Sequence, residues 1–161
     1  MTTTTTRAFP GTPLATRAVI IVVTAVVALQ LVGLSACSPT PKANPADAKQ
    51  VALGKTVYAA QCAACHGANL QGQSDWQVRK ADKKLPAPPH DTSGHTWHHD
   101  DDTLINITKN GFEKYTGPGY ETDMPKYSGV LSDDEVFAVL AYIKSTWPKE
   151  EAEHQASMNR K

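Results

Sequence analysis

Cysteine is scarce in this 161-residue chain, which carries only Cys37, Cys62 and Cys65. That excludes a disulfide-stapled scaffold, and without a second close pair it argues against a thiolate zinc site. An excess of charge of one sign is also lacking. Sixteen basic side chains balance sixteen acidic ones, so the chain has no basic footprint for nucleic acid. Aromatic residues make up 7% of the sequence, a thin supply for a large core. No internal repeat is visible. The length leaves room for one ordinary domain with appendages.

The organising stretch is Cys62-Ala63-Ala64-Cys65-His66. It reads C-x-x-C-H, the attachment signature for a c-type haem. Two thiols so spaced reach the two vinyl groups of one haem, and His66 supplies a neutral imidazole as proximal ligand. A thioredoxin-like dithiol would follow a strand in a βαβ context, and none is visible. One motif means one haem, held covalently through Cys62 and Cys65. Such a cofactor also gives a small, aromatic-poor domain a large apolar disc to fold around.

Upstream, Arg7 and Arg17 are the only charges before the apolar run at residues 18–34. This is the layout of an export signal. It ends in Leu34-Ser35-Ala36-Cys37, which resembles a bacterial lipobox with Cys37 as the lipidated residue. The alternative is an uncleaved span, because the run approaches the about 20 residues that cross a bilayer. Either reading places the C-terminal part of the chain outside the cytoplasm. The expected organisation is an export signal at 1–36, a lipidated Cys37 with a Pro-rich tether at 37–46, a domain at 47–148 and a polar tail at 149–161. Several acyl chains, at about 0.8 kcal/mol per buried methylene, would make the anchor effectively permanent.

Within the domain, Asp47 is the expected N-cap of a helix ending near Gln61, with Val51, Gly54, Val57 and Tyr58 on one face. Ser132-Asp133-Asp134-Glu135 is a capping box, opening a helix with an apolar face from Val136 to Ile143 that ends at Trp147-Pro148. A mid-helix glycine costs about 1 kcal/mol against alanine, so Gly54 marks a close crossing of these two helices. Tyr58 is then expected near Val139 and Tyr142. Between them, Leu85-Pro86-Ala87-Pro88-Pro89 excludes helix. A short helix is expected from Asp100 to about Lys109, stopped by Asn110-Gly111.

Met124 is the expected second iron ligand. It is the only methionine between the haem motif and the last helix of the domain, it lies on a loop, and Pro125 stiffens the backbone after it. A thioether is a soft, neutral donor that favours reduced iron. With His66 and Met124 filling both axial positions, no site is open to substrate. This describes a one-electron carrier and not an enzyme.

Taken together, these residues resemble a class I, mitochondrial-type mono-haem cytochrome c domain, in the variant of bacterial membrane-anchored lipoproteins. The resemblance covers about residues 47–148 and rests on Gly54 and Tyr58 ahead of Cys62, on Met124-Pro125, and on Val139 and Tyr142. It implies a small all-α fold in which the N- and C-terminal helices cross around the haem, with extended loops. It further implies that a proline carbonyl, from Pro88 or Pro89, accepts from the haem-ligating histidine, and that Trp97 bonds a haem propionate. Transient redox partners follow, such as an oxidase, a reductase or another periplasmic carrier. The setting is the bacterial cell envelope, facing the periplasm, with membrane attachment through Cys37. The segment between His66 and Trp97 departs from the family pattern.

His90, His95, His98 and His99 crowd together ahead of Asp100, Asp101 and Asp102. The plainer reading is a polar loop in which one histidine bonds a haem propionate and the aspartates cap a helix. The functional alternatives are a second copper or zinc site, or a histidine that replaces Met124 on the iron. The second metal site would make the chain a haem-based metal-handling module. A labile Met124 would instead make it a gas sensor.

Overall fold

The computed structural model describes residues 42–160. The apolar run at 18–34 and Cys37 lie outside the described residues, as does the first half of the expected tether, up to residue 41. Among the described residues the architecture is helical, without strands; one isolated bridge joins Ser128 and Leu131. No helix among them is long and apolar enough to cross a membrane.

Helix α1 spans Ala48–Gln61, and α2 is a single turn, Ala63–His66. A long irregular segment contains the 3₁₀ turn Thr96–His98. Helix α3 spans Asp101–Asn110, α4 is the turn Glu113–Thr116, α5 spans Asp133–Ser145 and α6 spans Lys149–Met158.

The helix starts follow the expected side-chain chemistry. Asp47 Oδ1 accepts from the backbone N–H groups of Lys49 and Gln50 at 2.9 and 3.2 Å. Asp100 accepts from Thr103 N at 2.8 Å. Ser132 and Glu135 form both halves of a capping box, and the bonds from the Ser132 amide and hydroxyl hold the Glu135 carboxyl below its usual range.

Among the described residues, the α1–α5 crossing is the largest helix–helix interface. A Cβ built on Gly54 would overlap the Ala138 carbonyl and lie 2.9 Å from Tyr142 Cβ, so only glycine allows this approach. Val57, Tyr58, Val136, Val139, Leu140 and Ile143 form the core around it, and the Tyr58 and Tyr142 rings meet at 5.4 Å.

The polar tail adds an element. Thr146 caps α5, Trp147-Pro148 breaks the path, and α6 begins at Lys149. Gln155 of α6 is 1% exposed and donates to Asp101 Oδ1 at 2.7 Å and to the His99 carbonyl at 3.2 Å. Asp101 also takes two bonds from Lys144 Nζ, at 2.8 and 2.9 Å. One buried polar knot therefore joins α3, α5 and α6.

Candidate functional site

The C-x-x-C-H stretch sits where α1 ends. Cys62 caps α1 through its N–H to Tyr58 O at 2.9 Å and at once opens α2, with His66 N bonded back to Cys62 O at 2.9 Å. Residues three and four apart share a face of a helical turn, so the backbone gathers Cys62, Cys65 and His66 on one side. Cys65 is exposed, Cys62 half-buried and His66 buried. Burial, with Cys65 close by, pushes the Cys62 thiol up to about 11.

His66 Nδ1 lies 2.8 Å from the Pro88 carbonyl oxygen. A carbonyl only accepts, so Nδ1 carries the proton and Nε2 is left with its lone pair. Of the two prolines the sequence offers, Pro88 is therefore the partner of His66. Gly72 makes this possible: at φ +67 it lies so close to Pro88-Pro89 that a Cβ would meet backbone atoms there. Burial outweighs the Pro88 bond and lowers the His66 pKa, which keeps the imidazole neutral and fit to donate its lone pair.

Met124 is half-buried against the core. Its amide donates to Thr122 Oγ1 at 3.1 Å. Three residues on, the buried Tyr127 hydroxyl donates to the Gln61 carbonyl at 2.7 Å, tying this loop to the residue before Cys62. Bonds from Lys84 and Lys80 hold the Asp123 carboxyl below its usual range, on the outer side of the loop.

The histidines do not converge. Among the described residues, no group of three or more histidine, cysteine, aspartate or glutamate side chains is placed to hold a metal ion. His95 and His99 meet edge to face at 5.4 Å, with Trp76 stacked on His95 at 5.3 Å. His98 stacks on Trp97 at 3.6 Å and meets His154 of α6 at 5.4 Å. His90 turns inward and stacks on His66, with ring centroids 4.1 Å apart. A ring lying face to face with His66 is not placed across an iron from it, so His90 does not suit the sixth position. Asp100 and Asp101 go to helix capping and to the buried knot, as a polar loop would require.

The donor set fits a covalent haem: two thiols and one imidazole lone pair on a single turn, beside an apolar core. Trp97 adds an independent sign. Its indole Nε1 is buried and meets no acceptor among the described residues. A buried donor without a partner is costly, and a carboxylate such as a haem propionate would satisfy it. Sequence reasoning found Cys62, Cys65, His66, the Pro88–Pro89 pair, Met124 and Trp97. It missed Gly72, the Tyr127 bond to Gln61, Gln155, and His90 as a neighbour of His66, none of which shows a periodic or motif signal.

Comparison with known proteins agrees with this geometry. The family model for cytochrome c matches residues 51–147. The chain is 35% identical over 94 residues to cytochrome c6 of Tetradesmus obliquus, covering 58% of this chain and 86% of that protein. It is 34% identical over 98 residues to the Cbb3-type cytochrome c oxidase subunit CcoP of Azospirillum sp. (strain B510), covering 61% of this chain and 29% of that protein. Identity to the same subunit of Azospirillum brasilense is 32% over 97 residues, covering 60% of this chain and 28% of that protein. The match therefore spans under a third of the length of either oxidase subunit. No solved structure matches the chain. The chain belongs to the cytochrome c family, as an all-α electron-transfer protein whose cofactor is covalent haem c.

Proposed function

We propose that the chain is a membrane-tethered one-electron carrier. Cys62 and Cys65 hold a single haem as thioethers, His66 and Met124 are its axial ligands, and Cys37 carries the lipid anchor. When bound, the haem supplies an iron that cycles between ferrous and ferric. The chain's residues do the rest. Pro88 fixes the His66 tautomer and turns Nε2, with its lone pair, away from Pro88. The core beneath Tyr58, Val139 and Tyr127 excludes water, and the Trp97 N–H would take a propionate oxygen.

The observation that carries the reading is the Tyr127–Gln61 bond, because it brings the Met124 loop to the end of α1 that bears the C-x-x-C-H turn. Ligands that stay bound in both oxidation states let the iron change charge with little rearrangement, as a carrier requires. The partner is a membrane or periplasmic redox complex met through a small transient interface, and a cytochrome c oxidase is the class two relatives' names suggest. A tether at 37–46 would hold the domain in the periplasm beside such a complex and raise its effective concentration.

The test is an optical spectrum of the haem-loaded chain, ferric and ferrous, with and without carbon monoxide. A weak long-wavelength sulfur-to-iron band that vanishes in Met124→Ala, with no carbon monoxide shift in the wild type, supports the reading. A carbon monoxide-reactive wild-type spectrum refutes stable Met124 ligation and points to gas sensing.

A further inference from the structure

His90 is the one histidine of the cluster that faces the C-x-x-C-H turn, and electron transfer through His66 and Met124 makes no use of it. Its ring lies nearly parallel to that of His66, with centroids 4.1 Å apart and planes 25° apart. The ring is itself held. His90 Nδ1 lies 2.8 Å from Thr96 Oγ1, and that hydroxyl lies 3.5 Å from the Pro89 carbonyl. Both contacts are satisfied when Thr96 donates to Pro89 and accepts the His90 Nδ1 proton. The backbone is pinned on both sides, with His90 N donating to Leu70 O at 2.7 Å and Trp147 Nε1 donating to His90 O at 2.8 Å. Tyr58 meets the ring edge-on at 6.3 Å.

This matters because the Pro88 bond alone does not fix the proximal imidazole. It holds Nδ1 through a bond to a carbonyl oxygen, whose angular preference is broad, and so leaves the plane able to rock by rotation about Cβ–Cγ. A flat, anchored neighbour on one face removes that freedom. An aliphatic side chain would fill the space without presenting a plane, and it would leave the buried Thr96 hydroxyl without its ring partner.

We propose that His90 is a positioning residue for the proximal ligand: stacked on His66 and locked by Thr96, it sets the angle of the His66 plane about the iron–Nε2 bond. The proposal rests on the reading that His66 ligates the haem iron. The angle has an observable consequence. In low-spin ferric haem, the orientation of the axial imidazole plane, together with that of the second axial ligand, decides how unpaired spin is shared among the pyrrole rings. With the second ligand unchanged, turning the imidazole plane therefore shifts the pattern of the paramagnetically shifted haem methyl resonances.

The experiment is proton NMR of the ferric, haem-loaded full chain, comparing wild type with His90→Leu, Thr96→Val and, as a control, His99→Leu, whose ring meets His95 and neither His66 nor Trp97. The expected result is a low-spin haem in all four. The methyl resonances should be redistributed in His90→Leu and, to a smaller extent, in Thr96→Val, and unchanged in His99→Leu. His90→Phe, which restores a flat ring, should return the pattern toward wild type. A purely structural role for His90 would lower the melting temperature and leave the methyl pattern in place, and that result overturns the proposal. Should His90→Leu fail to load haem, Thr96→Val decides alone, because it keeps the ring and removes its 2.8 Å tether, together with the long 3.5 Å contact to Pro89. A wild-type chain without a low-spin haem would refute the ligation reading itself, a different failure from an unchanged methyl pattern on an intact low-spin haem.

Discussion

Replacing Gly54 by alanine should destabilise the protein, although alanine is the better helix former. On intrinsic propensity alone the change stabilises α1 by about 1 kcal/mol. The structure opposes this, because the new methyl would overlap the Ala138 carbonyl and stand 2.9 Å from Tyr142 Cβ. Carbon atoms in comfortable contact are about 3.5–4.0 Å apart, and a backbone carbonyl cannot swing aside. The helices must therefore part by about 1 Å where they cross, which loosens Val57 and Tyr58 against Val139 and Leu140. Overpacking of this kind costs about 3 kcal/mol or more when the obstacle is backbone, so the net loss should be about 2 kcal/mol. For a domain of about 100 residues that is a fall in melting temperature of about 8 °C. Thermal and guanidinium unfolding of the haem-loaded wild type and Gly54→Ala, followed by helical circular dichroism, measure it. An alanine variant as stable as wild type, or more so, would refute the close-crossing argument, since the sign itself would be wrong.

Asp101→Ala strands Lys144, whose side chain is 7% exposed, without its carboxylate. The expected loss is about 3–5 kcal/mol in guanidinium unfolding, and a loss below about 1 kcal/mol would show that the knot contributes little. Tyr58 donates to Gly67 O at 2.9 Å, and burial raises its hydroxyl pKa well above the ordinary 10. A raised folded pKa means stability that is complete below pH 10 and lost as pH climbs beyond it, because only the unfolded phenol gives up its proton. Tyr58→Phe should thus lose about 1 kcal/mol at neutral pH and less than wild type between pH 10 and 11; parallel stability curves would contradict this. The wild-type chain should incorporate labelled fatty acid when expressed in bacteria and Cys37→Ser should not; a wild type without label would remove the lipid-anchor proposal.

What the sequence made legible was local. The C-x-x-C-H spacing is one helical turn of chemistry, and Asp47, Asp100 and the Ser132–Glu135 box announce their helices within four residues. Gly54 was readable because a glycine on an apolar helical face weakens the helix unless a neighbour comes close there. The choice between Pro88 and Pro89 was not readable. It depends on a loop path set by Gly72 at positive φ and by the bond from His90 N to Leu70 O, and neither constrains sequence pattern. The docking of α6 was hidden for a similar reason: Gln155 finds its partner, Asp101, 54 positions away, and a polar contact of that range leaves no periodicity. The inward turn of His90 alone among four clustered histidines depends on Thr96, Leu70 and Trp147, three residues that bear no resemblance to a motif.

The indole of Trp147 donates to the His90 carbonyl, and this bond couples the wall behind His66 to the end of α5. That wall therefore belongs to the same cooperative unit as the helix crossing and opens only when the whole domain does. The Met124 loop is different, since its outer side is held by exposed lysine–aspartate pairs that salt can screen. The two sides of the pocket should differ in amide hydrogen exchange, with His90 protected to the global limit and residues 122–126 exchanging through cheap local openings. With Met124 as the proposed ligand, fluctuation and any ligand loss that follows from it would be confined to one face of the haem.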